Sequence, residues 1–186
     1  MTGPLLFFGE LLLRMGAPGH ELLLQSPALK VHVAGAEANV ATGLAHLGHD
    51  CRMISHVPDN ALGRGAVAMV RGQGVDCRAI SHGPGRMGLY FLQTGAGLRA
   101  SDIVYDRAGS AFAALGPGAF DWDALLAGAR LLHLSGITPA LGPQSAALTL
   151  EAARAAKRLG VPIVFDGNYR ALLWAAWDSD PRAILS

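Results

Sequence analysis

The sequence predicts an α/β protein, a parallel-sheet layer carrying helices, with a smaller β-sheet inserted into it. Three observations point there. Short apolar runs such as Leu5 to Gly9 and Pro162 to Asp166 read as strands buried on both faces, as in parallel sheets. Stretches with helical spacing alternate with such runs. Residues 82–107 then break the rhythm with two extended runs joined by glycines.

The elements follow in order. After Leu5 to Gly9, Leu11 to Met15 and Lys30 to Ala34 read as strands, separated by the turn residues Gly16-Ala17-Pro18-Gly19. From Ala36, Val40, Leu44 and Leu47 fall at helical spacing and Gly48 supplies a stop. Cys51 to Val57 is strand, Asn60 caps a helix to Gln73, and Val75 to Ser81 is strand again. Arg86 to Thr94 and Arg99 to Arg107, joined by Gly95-Ala96-Gly97-Leu98, suit an antiparallel hairpin. Asp121 to Leu126 and then Leu131 to Ser135 resume the alternation. Gly142-Pro143 opens a long helix with Leu148, Ala152, Ala155 and Leu159 on one face, and Pro162 to Asp166 is a further buried strand. Asp178-Ser179-Asp180-Pro181 starts a last helix that stops at Ser186 after a turn and a half, too short to stand alone. Truncation is the expectation.

Composition narrows the function. Of the 186 residues, 51% are apolar and 16% charged, which excludes intrinsic disorder. A compact chain of this mass exposes about 8,500 Å² and buries about 70% of its unfolded surface. The net charge is +1, with no basic stripe interleaved with aromatics, so nucleic acid is not expected as a partner. No run approaches the ~18 apolar residues that would span a membrane. The N-terminal Met1 to Glu10 lacks the features of a signal peptide. Cys51 and Cys77 sit in strand-like runs and read as buried free thiols, so a cytoplasmic protein is expected.

Several motifs carry little. Gly83-Pro84-Gly85-Arg86-Met87-Gly88 spells a dinucleotide fingerprint, but a strand follows it where a helix is required, so it reads as a loop. His46 and His49 read as a surface pair, and no metal site is expected. Three stretches carry more. In Val33 to Ala41 a strand runs into a helix through Gly35, where a ligand can approach the backbone and Asn39 lies one turn in; such junctions also serve plain packing. In the hairpin, alternation places Tyr90 with Leu92 and Tyr105 with Arg107. Two phenols and a guanidinium could grip a polyol carrying a carboxylate, or be ordinary cross-strand pairs. In Ile163 to Arg170, Asn168 and Arg170 crowd the carboxyl end of a strand, where open α/β sheets bind ligands, although Asp-Gly also makes plain turns.

Together Gly35-Ala36-Glu37-Ala38-Asn39-Val40-Ala41, Gly88-Leu89-Tyr90-Phe91, Tyr105-Asp106-Arg107-Ala108, Leu134 to Pro139 and Asp166-Gly167-Asn168-Tyr169-Arg170 resemble the ribokinase-like (PfkB) carbohydrate kinases, nearest the 2-keto-3-deoxygluconate kinases. Ala34 departs from the pattern, where the family usually has a second glycine. The resemblance implies a ribokinase-like α/β domain whose N-terminal part fills residues 1–186, with β-lid insertions near 11–34 and 86–107. It implies ATP- and Mg²⁺-dependent phosphorylation of a keto-deoxy sugar acid. By carry-over Gly35, Asn39, Tyr90, Tyr105, Arg107, Ile137 and Arg170 line the substrate pocket. Arg170 also lies near the transferred phosphoryl group, and Asn168 nearer the nucleotide. Nothing matches the family's Gly-Ala-Gly-Asp segment, so the general-base Asp is expected outside this chain, which alone should be inactive. A kinase for fructose or ribose, or an inactive fragment that binds sugar or pairs through its lid as a homodimer, are the alternatives.

Overall fold

The computed structural model describes residues 3–177 and 179–185. Along the chain run β1 (Leu5–Phe8), β2 (Leu12–Gly16), β3 (Lys30–Ala34), α1 (Ala36–His46), β4 (Cys51–Pro58), α2 (Ala61–Gly72) and β5 (Asp76–Gly83). There follow β6 (Gly88–Gln93), β7 (Asp102–Asp106), α3 (Trp122–Leu126), β8 (Leu131–Ser135), α4 (Pro143–Arg158), β9 (Ile163–Asp166), α5 (Ala171–Trp174) and α6 (Pro181–Leu185). A 3₁₀ turn, Pro139–Leu141, precedes α4.

Five strands form a sheet in the order β5-β4-β1-β8-β9, and all four pairings are parallel. The chain moves outward from β1 through β4 and β5, then crosses to β8 on the other side. That reversal beside β1 opens a crevice at the carboxyl ends of β1 and β8, the usual ligand position in such sheets. A second sheet, ordered β3-β2-β6-β7, is mixed: β2 pairs with β6 in parallel, and the other two pairings are antiparallel.

Alternation along β1 divides the core. Leu5 and Phe7 join Met53, Val57, Val67 and Val70 on one face, while Leu6 and Phe8 join Ile54, Leu132, Leu134, Leu148 and Trp122 on the other. Phe8 meets Phe112, Phe120 and Trp122 with ring centroids 5.0–5.7 Å apart. Truncating such a side chain to Ala costs about 3–5 kcal/mol. Local signals hold at the helix ends. Asn60 Oδ1 accepts from the amides of Leu62 and Gly63 at 3.0 and 3.1 Å, and Asp121 Oδ1 from Ala124 at 3.1 Å. Cys51 and Cys77 are free and buried, and burial pushes both thiols up in pKa. His46 and His49 are exposed, and Gly83 to Met87 is largely a connection between β5 and β6.

Three expectations are corrected. β9 is not buried: Ile163, Val164 and Phe165 are all exposed, because β9 is a sheet edge that α4 covers only in part. On α1 the inward face is Glu37, Ala38 and Ala41, whereas Val40 and Leu47 point outward. Leu159 lies past the end of α4 and is 43% exposed. These bare positions fit a surface of 9,512 Å², above the compact-chain value of about 8,500 Å². At the last helix Asp180 accepts from the amides of Arg182 and Ala183, while Asp178 and Ser186 lie outside the described residues.

Candidate functional site

Four chain segments meet at the crevice beside β1. The first is Glu10, two residues beyond β1 and 1% exposed despite its carboxylate. Its Oε2 accepts from Arg107 Nε at 2.7 Å, Arg107 Nη2 stands 2.7 Å from the same oxygen, and Ser110 Oγ donates to Oε1. A charge this deep requires such a partner, since isolated it would lose several kcal/mol of hydration. Room for it comes from Gly88 at the start of β6, where a Cβ would collide with Oε1.

The second segment is the turn into α1. A Cβ on Gly35 would stand 2.7 Å from the Glu10 carbonyl oxygen, so strand and helix meet at a distance that only glycine permits. In the first turn of α1, Glu37 is 1% exposed. Its Oε1 accepts from Ser135 Oγ and, at 3.3 Å, from Thr138 Oγ1. Burial raises its pKa above the ordinary carboxyl value, and the bond from Ser135 offsets this in part. A Cβ on Gly9 would collide with its Oε2.

The third segment is the hairpin β6–β7. Tyr90 stands directly opposite Tyr105 with ring centroids 6.2 Å apart, and both phenols are half-buried. Arg107 follows the last residue of β7 and is 4% exposed. It is therefore not the free guanidinium of a half-exposed hairpin: Glu10 holds its Nε/Nη2 side. Nη1 has no partner among the described residues. The fourth segment leaves β9. Asn168 has φ 34°, its backbone N–H donates to Asp166 Oδ1 at 3.0 Å, and its Nδ2 donates to Ser135 Oγ at 3.5 Å. Arg170 is exposed; its Nη1 donates to the Tyr169 carbonyl at 3.2 Å, and it forms no ion pair among the described residues.

One cavity of about 210 Å³ collects these groups. Gly35, Asn39, Tyr90, Tyr105, Arg107, Ile137, Asn168 and Arg170 all line it, so the structure brings together every site residue read from the sequence. Its wall offers phenols, amides and two guanidiniums, a donor-rich set suited to a small anionic polyol. Missed by the sequence reading are Glu10, Ser110 and Thr138, which support the wall from behind. A signal existed for the first: a lone carboxylate between the apolar runs Phe7-Phe8 and Leu11-Leu12-Leu13.

The model of the pfkB family carbohydrate kinases matches residues 5–185. The chain belongs to the pfkB family. A 2-dehydro-3-deoxygalactonokinase of Haloferax volcanii is 34% identical over 96% of this chain and 56% of its own length. A 2-dehydro-3-deoxygluconokinase of Thermoproteus tenax is 34% identical over 97% of the chain and 55% of its own length. Among solved structures, a 2-dehydro-3-deoxygluconokinase of Thermotoga maritima matches with a TM-score of 0.89 and 42% identity, over 93% of this chain and 53% of that one. This pfkB chain thus spans about half the length of the curated relatives it matches.

A nucleotide and a divalent ion are the groups such a kinase requires. Arg170, a cation lining the cavity without a carboxylate partner, fits a phosphate. No group of three or more His, Cys, Asp or Glu that could hold a metal ion occurs among the described residues.

Proposed function

We propose that this chain forms the sugar-acid site of a kinase that transfers the γ-phosphoryl group of ATP to the terminal hydroxyl of a 2-keto-3-deoxy sugar acid. The observation that carries the reading is the union of Tyr90, Tyr105 and Arg107 with Gly35 and Asn39 around one small cavity. The phenols and the Gly35 turn bind hydroxyls, and the free side of Arg107 receives the carboxylate. Arg170 stabilises charge on the transferred group, and Asn168 lies toward the nucleotide, which with Mg²⁺ supplies the phosphoryl group when bound. The second sheet, carrying both tyrosines, acts as a lid that keeps water from the reacting centre. Proton removal from the hydroxyl falls to a base outside this chain, so the chain alone turns over no ATP.

Calorimetric titration with 2-dehydro-3-deoxygluconate and, in parallel, fructose tests this. The acid should bind at least about tenfold more tightly, the difference of one charged contact. Equal affinities favour a neutral-sugar kinase, and turnover of ATP by the chain refutes its inactivity.

A second reading, self-association through the lid, is favoured by one row of side chains. Val31, Met15, Phe91 and Val104 are successive cross-strand neighbours on one face of the second sheet, and Val31 and Val104 are 53% and 51% exposed. A dimer by sedimentation that Val104→Asp converts to monomer supports this; a monomeric parent chain rejects it.

A further inference from the structure

We infer that Glu10 sets how tightly the cavity holds an anionic ligand, as the built-in counter-ion of Arg107. The inference rests on the sugar-acid reading above and adds a residue behind the wall to the residues in it.

Glu10 and Arg107 are 1% and 4% exposed, and the carboxylate takes the Nε/Nη2 side of the guanidinium at 2.7 Å. Among the described residues Nη1 is unpartnered, and Arg107 lines the cavity. The nearby acids are otherwise engaged. Asp106 pairs with Arg86 at 2.6 Å, and Glu37 takes hydroxyls from Ser135 and Thr138, feeling the charge of Arg107 without a hydrogen bond to it. The other cation of the cavity, Arg170, has no carboxylate partner.

At Arg107, then, the wall is neutral before any ligand arrives. A carboxylate ligand makes two carboxylates share one guanidinium, each on its own side. Repulsion between them opposes the attraction of the cation, and in a buried setting water screens neither strongly. Glu10 therefore positions Arg107 and also holds down the affinity of the site for acids. It touches no ligand: Ser110 fixes its second oxygen and Gly88 closes over it.

Glu10→Gln separates these roles. Its amide oxygen can still accept from Arg107, its amide N–H can donate to Ser110, and its volume is unchanged. Only the charge goes. Titration of the parent chain and Glu10→Gln with 2-dehydro-3-deoxygluconate and with fructose should show the acid tightening about tenfold, with fructose within about twofold. A loss of affinity for both ligands alike, or a loss for the acid alone, overturns the inference, because a structural or purely orienting role predicts those. If the parent binds neither ligand, the sugar-acid reading itself fails and this inference falls with it.

Should Glu10→Gln not fold, the parent chain still decides the matter. The ¹⁵N Nε–H signal of Arg107, assigned by its loss in Arg107→Lys, should stay in place when the acid is added, because Glu10 keeps that side. A large shift would mean that the ligand displaces Glu10, which contradicts its role as standing counter-ion.

Discussion

Glu10 and Glu37 occupy matching positions and are treated in opposite ways. Each is 1% exposed, each flanks the cavity wall from behind, and each fills space left by a glycine, Gly88 for Glu10 and Gly9 for Glu37. Glu10 is hydrogen-bonded to a guanidinium, whereas Glu37 takes its side-chain hydrogen bonds from the hydroxyls of Ser135 and Thr138 and feels Arg107 only through its charge. The first arrangement keeps a charge inside the protein by pairing it. In the second, burial outweighs the hydroxyl bonds and the more distant charge of Arg107, so the carboxyl is biased toward its neutral form. Of the two buried carboxyls, the one paired with Arg107 thus carries its charge on the side where an acid would bind, whereas the one on the helix side of the crevice is biased toward neutrality.

The contrast can be broken most severely at Arg107. Arg107→Ala leaves the Glu10 carboxylate buried without a counter-ion, and should cost about 3–5 kcal/mol in urea unfolding. A loss below about 1 kcal/mol would mean the pair is not truly desolvated. This also makes Arg107→Ala a poor test of substrate choice, since a folding defect would weaken every ligand. Next come the glycines. Gly9→Ala and Gly88→Ala each force a clamped carboxylate to move and should cost about 1–3 kcal/mol. Unchanged stability would show that these side chains are not held where the structure has them.

The smallest effect is expected at Glu37, and it sharpens the comparison through pH. Its folded-state pKa is raised, so the folded protein holds the proton more firmly than the unfolded chain. That contribution is complete below the ordinary value of 4.5 and is lost as pH rises through the raised value. Glu37→Gln should change stability below pH 4.5 by less than about 1 kcal/mol and remove the decline above it. A parent chain whose stability rises through that window, with no change of slope in Glu37→Gln, would show that Glu37 is held charged like Glu10.

How much of this was legible in the sequence differs by element. Strands buried on both faces declare themselves by composition, as Leu5–Phe8 does, and caps such as Asn60 by residue type. The eight cavity residues were legible because each sits in a short motif, at or after a strand end for Gly35, Tyr105, Arg107, Ile137, Asn168 and Arg170, inside β6 for Tyr90 and one turn into α1 for Asn39. Glu37 was visible only as a letter inside one of those motifs, and Glu10 only as a lone carboxylate between apolar runs. Their partners Arg107 and Ser135 are 97 and 98 residues away, and nothing local encodes such a pairing. Ile163 to Phe165 misled for a related reason: apolarity reports what a strand can bury, whereas exposure depends on what lies beside it.

The most direct test of the central claim, that the Arg107 side of this cavity receives a sugar acid, is a crystal structure of the chain with 2-dehydro-3-deoxygluconate bound. The ligand carboxylate should sit on Arg107 Nη1 and the sugar chain between Tyr90 and Tyr105, with Glu10 still on the Nε side. A ligand carboxylate on Arg170 with Arg107 untouched, or a ligand outside this cavity, would contradict it.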